Sequence, residues 1–269
     1  MPKGELLFIG LGLYDESDIS LRGLREIKKC DKVFAEFYTS KLVGAKKQNL
    51  EKTIGKPINV LSREETESGK IILDAAENNM VAFLVCGDPM MATTHVDLRL
   101  RAIEKNIPTK IIHGSSIITA VPGLLGLQNY KFGRTTTLAF PENEYFPTSP
   151  YELIKENKKM GLHTLILLDI QADKDVYMSA NEGIDLLLQM EKKIGAQLFN
   201  EDSILCIVAR AGSENPTVVA NTIKKLQKTD FGPPLHTIVI PGNLHFMEIE
   251  SLIKVAGLPK DIAKKLQKL

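Results

Sequence analysis

The sequence predicts an α/β protein of two domains, the first over residues 1–124 around a mostly parallel sheet and the second over 125–269 around a mixed one. Three observations carry this. Over roughly the first 115 residues, short apolar runs alternate with segments of helical period, the pattern of strands joined by crossover helices. Met80-Val81-Ala82-Phe83-Leu84-Val85 is continuously apolar with β-branched members, which suits a strand covered on both faces, and it empties into Cys86-Gly87-Asp88-Pro89. Past Pro122-Gly123 the even alternation gives way to less regular spacing.

Taken in order, Leu6–Ile9 reads as a strand entering Gly10-Leu11-Gly12-Leu13. A helix follows from Ser20 as cap, with Leu21, Leu24 and Ile27 at helical spacing and Lys28 and Lys29 suiting its negative end. Val33–Phe37 is a second strand, completing a βαβ start. The lysine-rich stretch from Lys41 to Lys52 reads as exposed loop and short helix, and Ile58–Leu61 as a strand. Ser68 is expected to open a helix carrying Ile71, Ile72 and Ala75, which leads into the strand Met80–Val85. Thr94 is expected to cap a helix carrying Val96, Leu98, Leu100, Ala102 and Ile103, ended by Asn106-Ile107-Pro108 before a strand at Thr109–Ile112. His113-Gly114-Ser115-Ser116 then starts a short helix expected to break near Pro122-Gly123.

In the second half, strands are expected at 135–139, 164–169, 203–209, 217–220 and 237–240, with helices near 150–159, 181–193 and 246–256. There is no internal repeat.

A chain of 269 residues with 43% hydrophobic and 25% charged residues can bury a sizeable core, and its net charge of +1 gives no global pull toward nucleic acid or an anionic membrane. The basic end (Lys260, Lys264, Lys265, Lys268) reads as a solvated helix face. Cys30, Cys86 and Cys206 are odd in number and scattered, which suggests reduced thiols and neither a zinc site nor a disulfide framework. Without an apolar run of about 20 residues or a signal-like start, a cytoplasmic location is expected.

The turns bear on the ligand. Gly10-x-Gly12 after a strand invites a dinucleotide reading, with Glu36 as a ribose-binding carboxylate. Asp15 stands at the third glycine position, however, and Glu16 and Asp18 crowd the place a pyrophosphate needs. Like charges about 4 Å apart repel by roughly 1 kcal/mol even in water and several-fold more near protein. Gly87-Asp88-Pro89 and Gly114-Ser115-Ser116 contain no Lys or Arg, and no Walker pattern occurs. The turns therefore suit a nucleoside derivative without phosphate, of which S-adenosylmethionine is one.

At these residues the chain resembles the diphthine synthases, a branch of the tetrapyrrole methylase-like methyltransferases. The resemblance runs over nearly the whole chain. It rests on Ile9-Gly10-Leu11-Gly12-Leu13-Tyr14-Asp15, Glu36-Phe37-Tyr38-Thr39-Ser40, Gly87-Asp88-Pro89-Met90-Met91-Ala92-Thr93-Thr94-His95, His113-Gly114-Ser115-Ser116-Ile117, His163 to Ile170, Tyr177 to Glu182, Ala209-Arg210-Ala211-Gly212 and Pro234-Leu235-His236. It implies two α/β domains of the tetrapyrrole methylase type with a cofactor cleft between them, a homodimer, and no metal. The implied cofactor contacts, carried over position by position, are Leu13, Asp88, Met91, Ser116, Ile117, Leu168, Ala211 and His236. The implied reaction methylates the amino group of a 3-amino-3-carboxypropyl arm on one histidine of translation elongation factor 2, leaving S-adenosylhomocysteine. The short connection between Asp169 and Tyr177 looks like the archaeal form, which implies trimethylation.

Methyl transfer from a sulfonium needs alignment and a neutral amine, not a triad or metal cluster, so the residues mark no obvious base. Glu36, Tyr38, His95 and Arg210 are the candidates for handling the acceptor arm. Each position also has a plain structural reading. Asp88 can cap its own turn, Ser116 a helix, and Met91, Ile117 and Leu168 can be packing. His236 can be a satisfied structural histidine; Glu36 can pair with a lysine, Tyr38 can be core, His95 can sit in a helix's first turn, and Arg210 can brace a dimer. Two competing functions remain open at this point. One is a tetrapyrrole or ribosomal RNA methyltransferase of similar fold, the RNA version disfavoured by the near-neutral charge; the other is a non-catalytic nucleotide-binding module.

Overall fold

The computed structural model describes residues 4–142 and 146–266; the expected Met1-Pro2-Lys3 start and Lys268 lie outside them. The chain forms two compact units. One comprises the residues up to Ile117 together with Gln171–Asp175 and Gly212–Glu214; the other comprises Ile118–Ile170, Val176–Ala211 and the chain from Asn215 onward.

The first unit contains β1 (Glu5–Gly10), α1 (Leu21–Lys29), β2 (Lys32–Glu36), α2 (Lys47–Ile54), β3 (Asn59–Leu61), α3 (Arg63–Ser68), α4 (Lys70–Ala76), β4 (Met80–Val85), α5 (His95–Glu104) and β5 (Thr109–Ile112). Its strands form a wholly parallel sheet in the order β3-β2-β4-β1-β5. Alternate residues feed opposite faces. Leu7, Ile9, Val33, Ala35, Ala82 and Leu84 pack with Ile27 of α1 and Leu50 and Ile54 of α2. Leu6, Phe8, Phe34, Val81, Phe83 and Val85 pack with α4 and with Leu98 and Ala102 of α5. The continuous apolar run of β4 is explained by this: both of its faces are interior.

Local signals set several ends. Ser20 Oγ accepts the Gly23 N–H at 3.0 Å, as its capping position predicts. The helix expected to open at Ser68 is instead two helices: Ser62 forms a capping box with Glu65 for α3, and Gly69, at φ 62°, ends α3 and starts α4. Only glycine adopts that left-handed conformation without cost, so the backbone turns there and not at the serine. Thr94 holds the N-cap position of α5 without a side-chain capping bond. Along α5, Leu98 and Ala102 are core, whereas Val96, Leu100 and Ile103 are about half exposed, so the expected apolar face is narrower than the sequence suggests.

The second unit contains α6 (Ile117–Leu125), β6 (Thr136–Leu138), α7 (Ser149–Lys159), β7 (Thr164–Leu168), β8 (Ile170–Gln171), β9 (Val176–Tyr177), α8 (Ala180–Ile194), β10 (Ile204–Ala209), β11 (Thr217–Thr222), α9 (Ile223–Leu226), β12 (His236–Ile240), α10 (Phe246–Val255) and α11 (Lys260–Leu266), with Ile117 and Gln171 assigned to the first unit. Its five-stranded sheet runs β11-β10-β12-β7-β6, antiparallel except for the β6–β7 pair, which makes the sheet mixed. Tyr151 and Ile154 of α7 and Ile184, Leu187 and Met190 of α8 fill one face. The helix α6 does not break at Pro122 but continues to Leu125; the ring removes one N–H bond, and the turn survives with Leu127 N–H on the Pro122 carbonyl.

One polar knot holds this unit. Glu248, fully buried, accepts from His163 Nε2 at 2.9 Å, Gln128 N–H at 2.9 Å and His245 N–H at 2.8 Å, and pairs with Lys131 Nζ. The Gly242 N–H bonds His163 Nδ1 at 2.8 Å, so the ring is neutral with its proton on Nε2. Burial raises the Glu248 pKa, but Lys131 and these donors outweigh it and hold the carboxyl at about 2.

Candidate functional site

The carboxyl ends of β4, β1 and β5 lie side by side and end in Gly87, Gly10 and Gly114. A Cβ on Gly10 would stand 2.5 Å from both Gly114 N and Gly87 O, and one on Gly114 would stand 2.4 Å from Gly87 O. Gly87 donates its N–H to the Gly12 carbonyl at 2.7 Å and accepts from Gly12 N–H at 3.3 Å. The turns therefore touch backbone to backbone, an approach that side chains forbid. This is the strand edge at which parallel sheets bind ligands.

Beyond Gly12, at φ 84°, the chain would present amides to a phosphate. Asp18 takes them: its Oδ2 accepts from Leu13 N–H at 3.1 Å and Tyr14 N–H at 2.7 Å. Asp15 caps the short turn Glu16–Asp18 by accepting from Ser17 N–H at 2.8 Å. The acidic loop thus not only repels a pyrophosphate but fills its amides with a carboxylate from the chain.

Asp88 is 8% exposed. Its Oδ1 accepts from Met90 N–H at 3.0 Å, the expected turn cap, and its Oδ2 lies 2.7 Å from His113 Nδ1. Ser116 is buried and Ile117 half-buried just beyond Gly114, while Met91 is 45% exposed on the turn. Of the expected cofactor contacts, Leu13, Asp88, Met91, Ser116 and Ile117 all belong to this unit's strand-end turns. His113 follows the strand end at Ile112 and precedes three small residues, Gly114, Ser115 and Ser116, which is the one signal in the sequence that could have found it.

Glu36 is fully buried and accepts from the Tyr38 and Thr39 N–H groups, both at 3.1 Å, and from Thr39 Oγ1. Its carboxylate caps its own turn through these donors, where the plain structural reading offered a lysine pair. His95 is 2% exposed, donates from Nδ1 to the Pro89 carbonyl at 3.1 Å and stands edge-on to Phe83. Its Nε2 is 3.7 Å from Glu36 Oε1 and has no hydrogen-bond partner. Burial lowers the His95 pKa against the pull of Glu36, so the ring is neutral. Tyr38, with its pKa pushed up to about 12 by burial and by Glu36, lines a cavity of about 250 Å³ with Thr94, His95, Glu67, Asp97 and Arg101. None of the expected cofactor contacts lines that cavity.

In the second unit, His236 Nδ1 accepts the Ala180 N–H at the start of α8 at 3.1 Å, and its Nε2 donates to the carbonyls of Gly232 at 3.0 Å and Pro233 at 3.1 Å. Both ring nitrogens serve the fold. Burial lowers its pKa, in keeping with a neutral ring. Arg210, at φ 52°, donates to the Phe231 carbonyl at 2.8 Å, the Pro233 carbonyl at 2.5 Å and Thr217 Oγ1 at 2.6 Å. Its guanidinium braces the loop that carries His236, within its own unit. Leu168 is buried in the core beside Gly183, and Ala211 is half-buried. Among the described residues no group of three or more His, Cys, Asp or Glu is placed to hold a metal, the three thiols are buried and free, and no helix is long and apolar enough to cross a membrane.

A family model for Tetrapyrrole (Corrin/Porphyrin) Methylases matches residues 5–227. The chain is 48% identical over 259 residues to a diphthine synthase of Methanosphaera stadtmanae, covering 96% of this chain and 98% of that one. It is 51% identical over 249 residues to a diphthine synthase of Methanococcus maripaludis, covering 92% and 97%. A crystal structure of a diphthine synthase superposes with a TM-score of 0.88 at 37% identity, covering 96% and 98%.

Proposed function

As this chain belongs to the tetrapyrrole methylases and within them to the diphthine synthases, methyltransferases of diphthamide biosynthesis, we propose that its methyl donor is S-adenosylmethionine. The acceptor is the amino group of the 3-amino-3-carboxypropyl arm on a histidine of elongation factor 2. The product is the trimethylated arm, and the enzyme works in the cytoplasm as a homodimer. The short β8–β9 connection favours three methyl groups over a further one on the carboxylate.

The observation that carries the choice of donor is Asp18 on the Leu13 and Tyr14 amides. A turn so occupied has no place for a pyrophosphate, while Gly87, where an added Cβ would meet only Ser115 O at 3.9 Å, leaves backbone open for a nucleoside. A sulfonium, being cationic, suits the neighbouring carboxylate of Asp88. When bound, the donor supplies a methyl group already activated for displacement. We assign Leu13, Asp88, Met91, Ser116 and Ile117 of the first unit and Leu168, Ala211 and His236 of the second to its binding. Leu13 serves through its carbonyl and side chain, since its N–H is taken, and His236 through its ring edge, since both nitrogens are engaged. Of the residues considered for the acceptor arm, Tyr38 and His95 are retained; Glu36 and Arg210 support them and the His236 loop, their polar atoms being committed.

The test is incubation with labelled S-adenosylmethionine and archaeal elongation factor 2 bearing the unmethylated arm, followed by intact-mass measurement. A gain of three methyl groups is expected. No gain, with tight binding of NAD in calorimetry, overturns the reading.

A further inference from the structure

We propose that His113 is the catalytic base that takes the proton from the attacking amine, and that Asp88 is the positioning residue that holds it ready. This rests on the reading of the chain as an amine methyltransferase. It adds a proton acceptor for that reaction, a role that no motif assigns.

The need for a base follows from the proton balance. An alkylamine enters as an ammonium at neutral pH and must lose a proton to expose its lone pair. Its nitrogen then takes the methyl carbon as the carbon–sulfur bond breaks, with the bonding pair staying on sulfur. The nitrogen is cationic again and must lose another proton before each later transfer. Three transfers therefore release three protons and end on a quaternary nitrogen that carries none. An acceptor must be reachable from the site and must return its proton to water.

Of the five histidines in the chain, His113 alone among the described residues meets these conditions. His95 is buried with Nδ1 on the Pro89 carbonyl, and His163 and His236 have both nitrogens bonded inside the second unit. His245 caps α10, with its Nδ1 on Met247 N–H. Tyr38 keeps its proton to about 12, and the Glu36 carboxylate is engaged by three donors. The His113 side chain is 74% exposed, so solvent reaches its ring, while Nδ1 lies 2.7 Å from the nearly buried Asp88. An ionised carboxylate only accepts, so in the neutral ring the tautomer that this contact favours has its hydrogen on Nδ1 and a lone pair on Nε2. The Asp88 charge also steadies the imidazolium that forms, as a carboxylate does behind a catalytic histidine. Asp88 is fixed in turn by Met90 N–H, on the same turn that is assigned to the donor.

The experiment compares the parent enzyme, His113→Ala and Asp88→Asn. Single-turnover methylation of the arm is expected to fall roughly 10²-fold in His113→Ala, the usual span of general-base catalysis, with S-adenosylmethionine affinity within about twofold by calorimetry and partial rescue by added imidazole. A second readout is independent of activity. In the parent protein without donor, the ring ¹⁵N shifts of His113 are expected to show Nδ1 protonated and Nε2 bare, a bias lost in Asp88→Asn. A rate within a few-fold of the parent, a loss matched by weakened donor binding, a loss that imidazole does not restore, or the opposite tautomer overturns the proposal. A parent enzyme that adds no methyl group overturns the functional reading instead, so the two failures are distinguishable.

Discussion

Asp18 Oδ2 accepts the Tyr14 N–H at 2.7 Å, four residues back along the chain, and so occupies an amide of the opening turn that would otherwise face an anion. Asp18→Ala leaves the Leu13 and Tyr14 amides unpaired. It is expected to cost about 1–3 kcal/mol of stability and to weaken S-adenosylmethionine binding through the displaced Leu13 carbonyl. Urea unfolding and calorimetry read the two effects; no change in either would show that the carboxylate does not hold the turn.

The glycines offer a paired test. Gly114→Ala would drive a Cβ to 2.4 Å from the Gly87 carbonyl, between two backbones that cannot yield. It is expected to cost about 3 kcal/mol or more and to abolish donor binding. Gly123→Ala, an exposed helical position with nothing within 4 Å, is expected to stabilise by about 0.5–1 kcal/mol. Thermal unfolding of the two variants should move in opposite directions.

Acid should destabilise the protein in two stages. His95, His163 and His236 are held below the ordinary 6.5 by burial, so below that pH the unfolded chain takes up protons that the folded chain refuses, and stability falls. Glu248, at about 2 against 4.5 unfolded, contributes on the order of 3 kcal/mol above pH 4.5, lost as pH falls from 4.5 through 2. Glu248→Gln should lower stability at pH 7 and flatten the second stage. Urea unfolding at several pH values checks both, and an unchanged acid limb in the variant would remove Glu248 from the account.

His236→Leu removes the acceptor of the Ala180 N–H and the donor to the Gly232 and Pro233 carbonyls. A loss of about 2–4 kcal/mol is expected, since polar groups are left unpaired in a buried place. Thermal melts test this, and a loss under 1 kcal/mol would mean that the loop is held by Arg210 alone.

Much of this molecule is legible in its residues. Each strand of the two five-stranded sheets falls within two residues of its apolar run, because a strand needs only local alternation or a continuous apolar stretch. Ser20 was readable as a cap for the same local reason. The errors came where longer-range effects decide. Gly69 and not Ser68 divides the helices, Pro122 stays inside one, and Leu100 and Ile103 face outward although their spacing suits a core. At the site, the sequence already set a crowd of carboxylates against a pyrophosphate, but not that Asp18 seals the amides or that Glu36 and Arg210 are spent on their own loops.

The sequence by itself determined the α/β class, the mixed character of the second sheet, the cluster of carboxylates at the opening turn and, through its ordered motifs, the family. Only the tertiary structure decided the strand orders, the meeting of Gly10, Gly87 and Gly114, and the pairing of Asp88 with His113. The reason is physical. Periodicity and charge act between neighbours in the chain, whereas Asp88 and His113 stand 25 residues apart and meet because β4 and β5 flank β1 in one parallel sheet, which brings their carboxyl ends to the same edge.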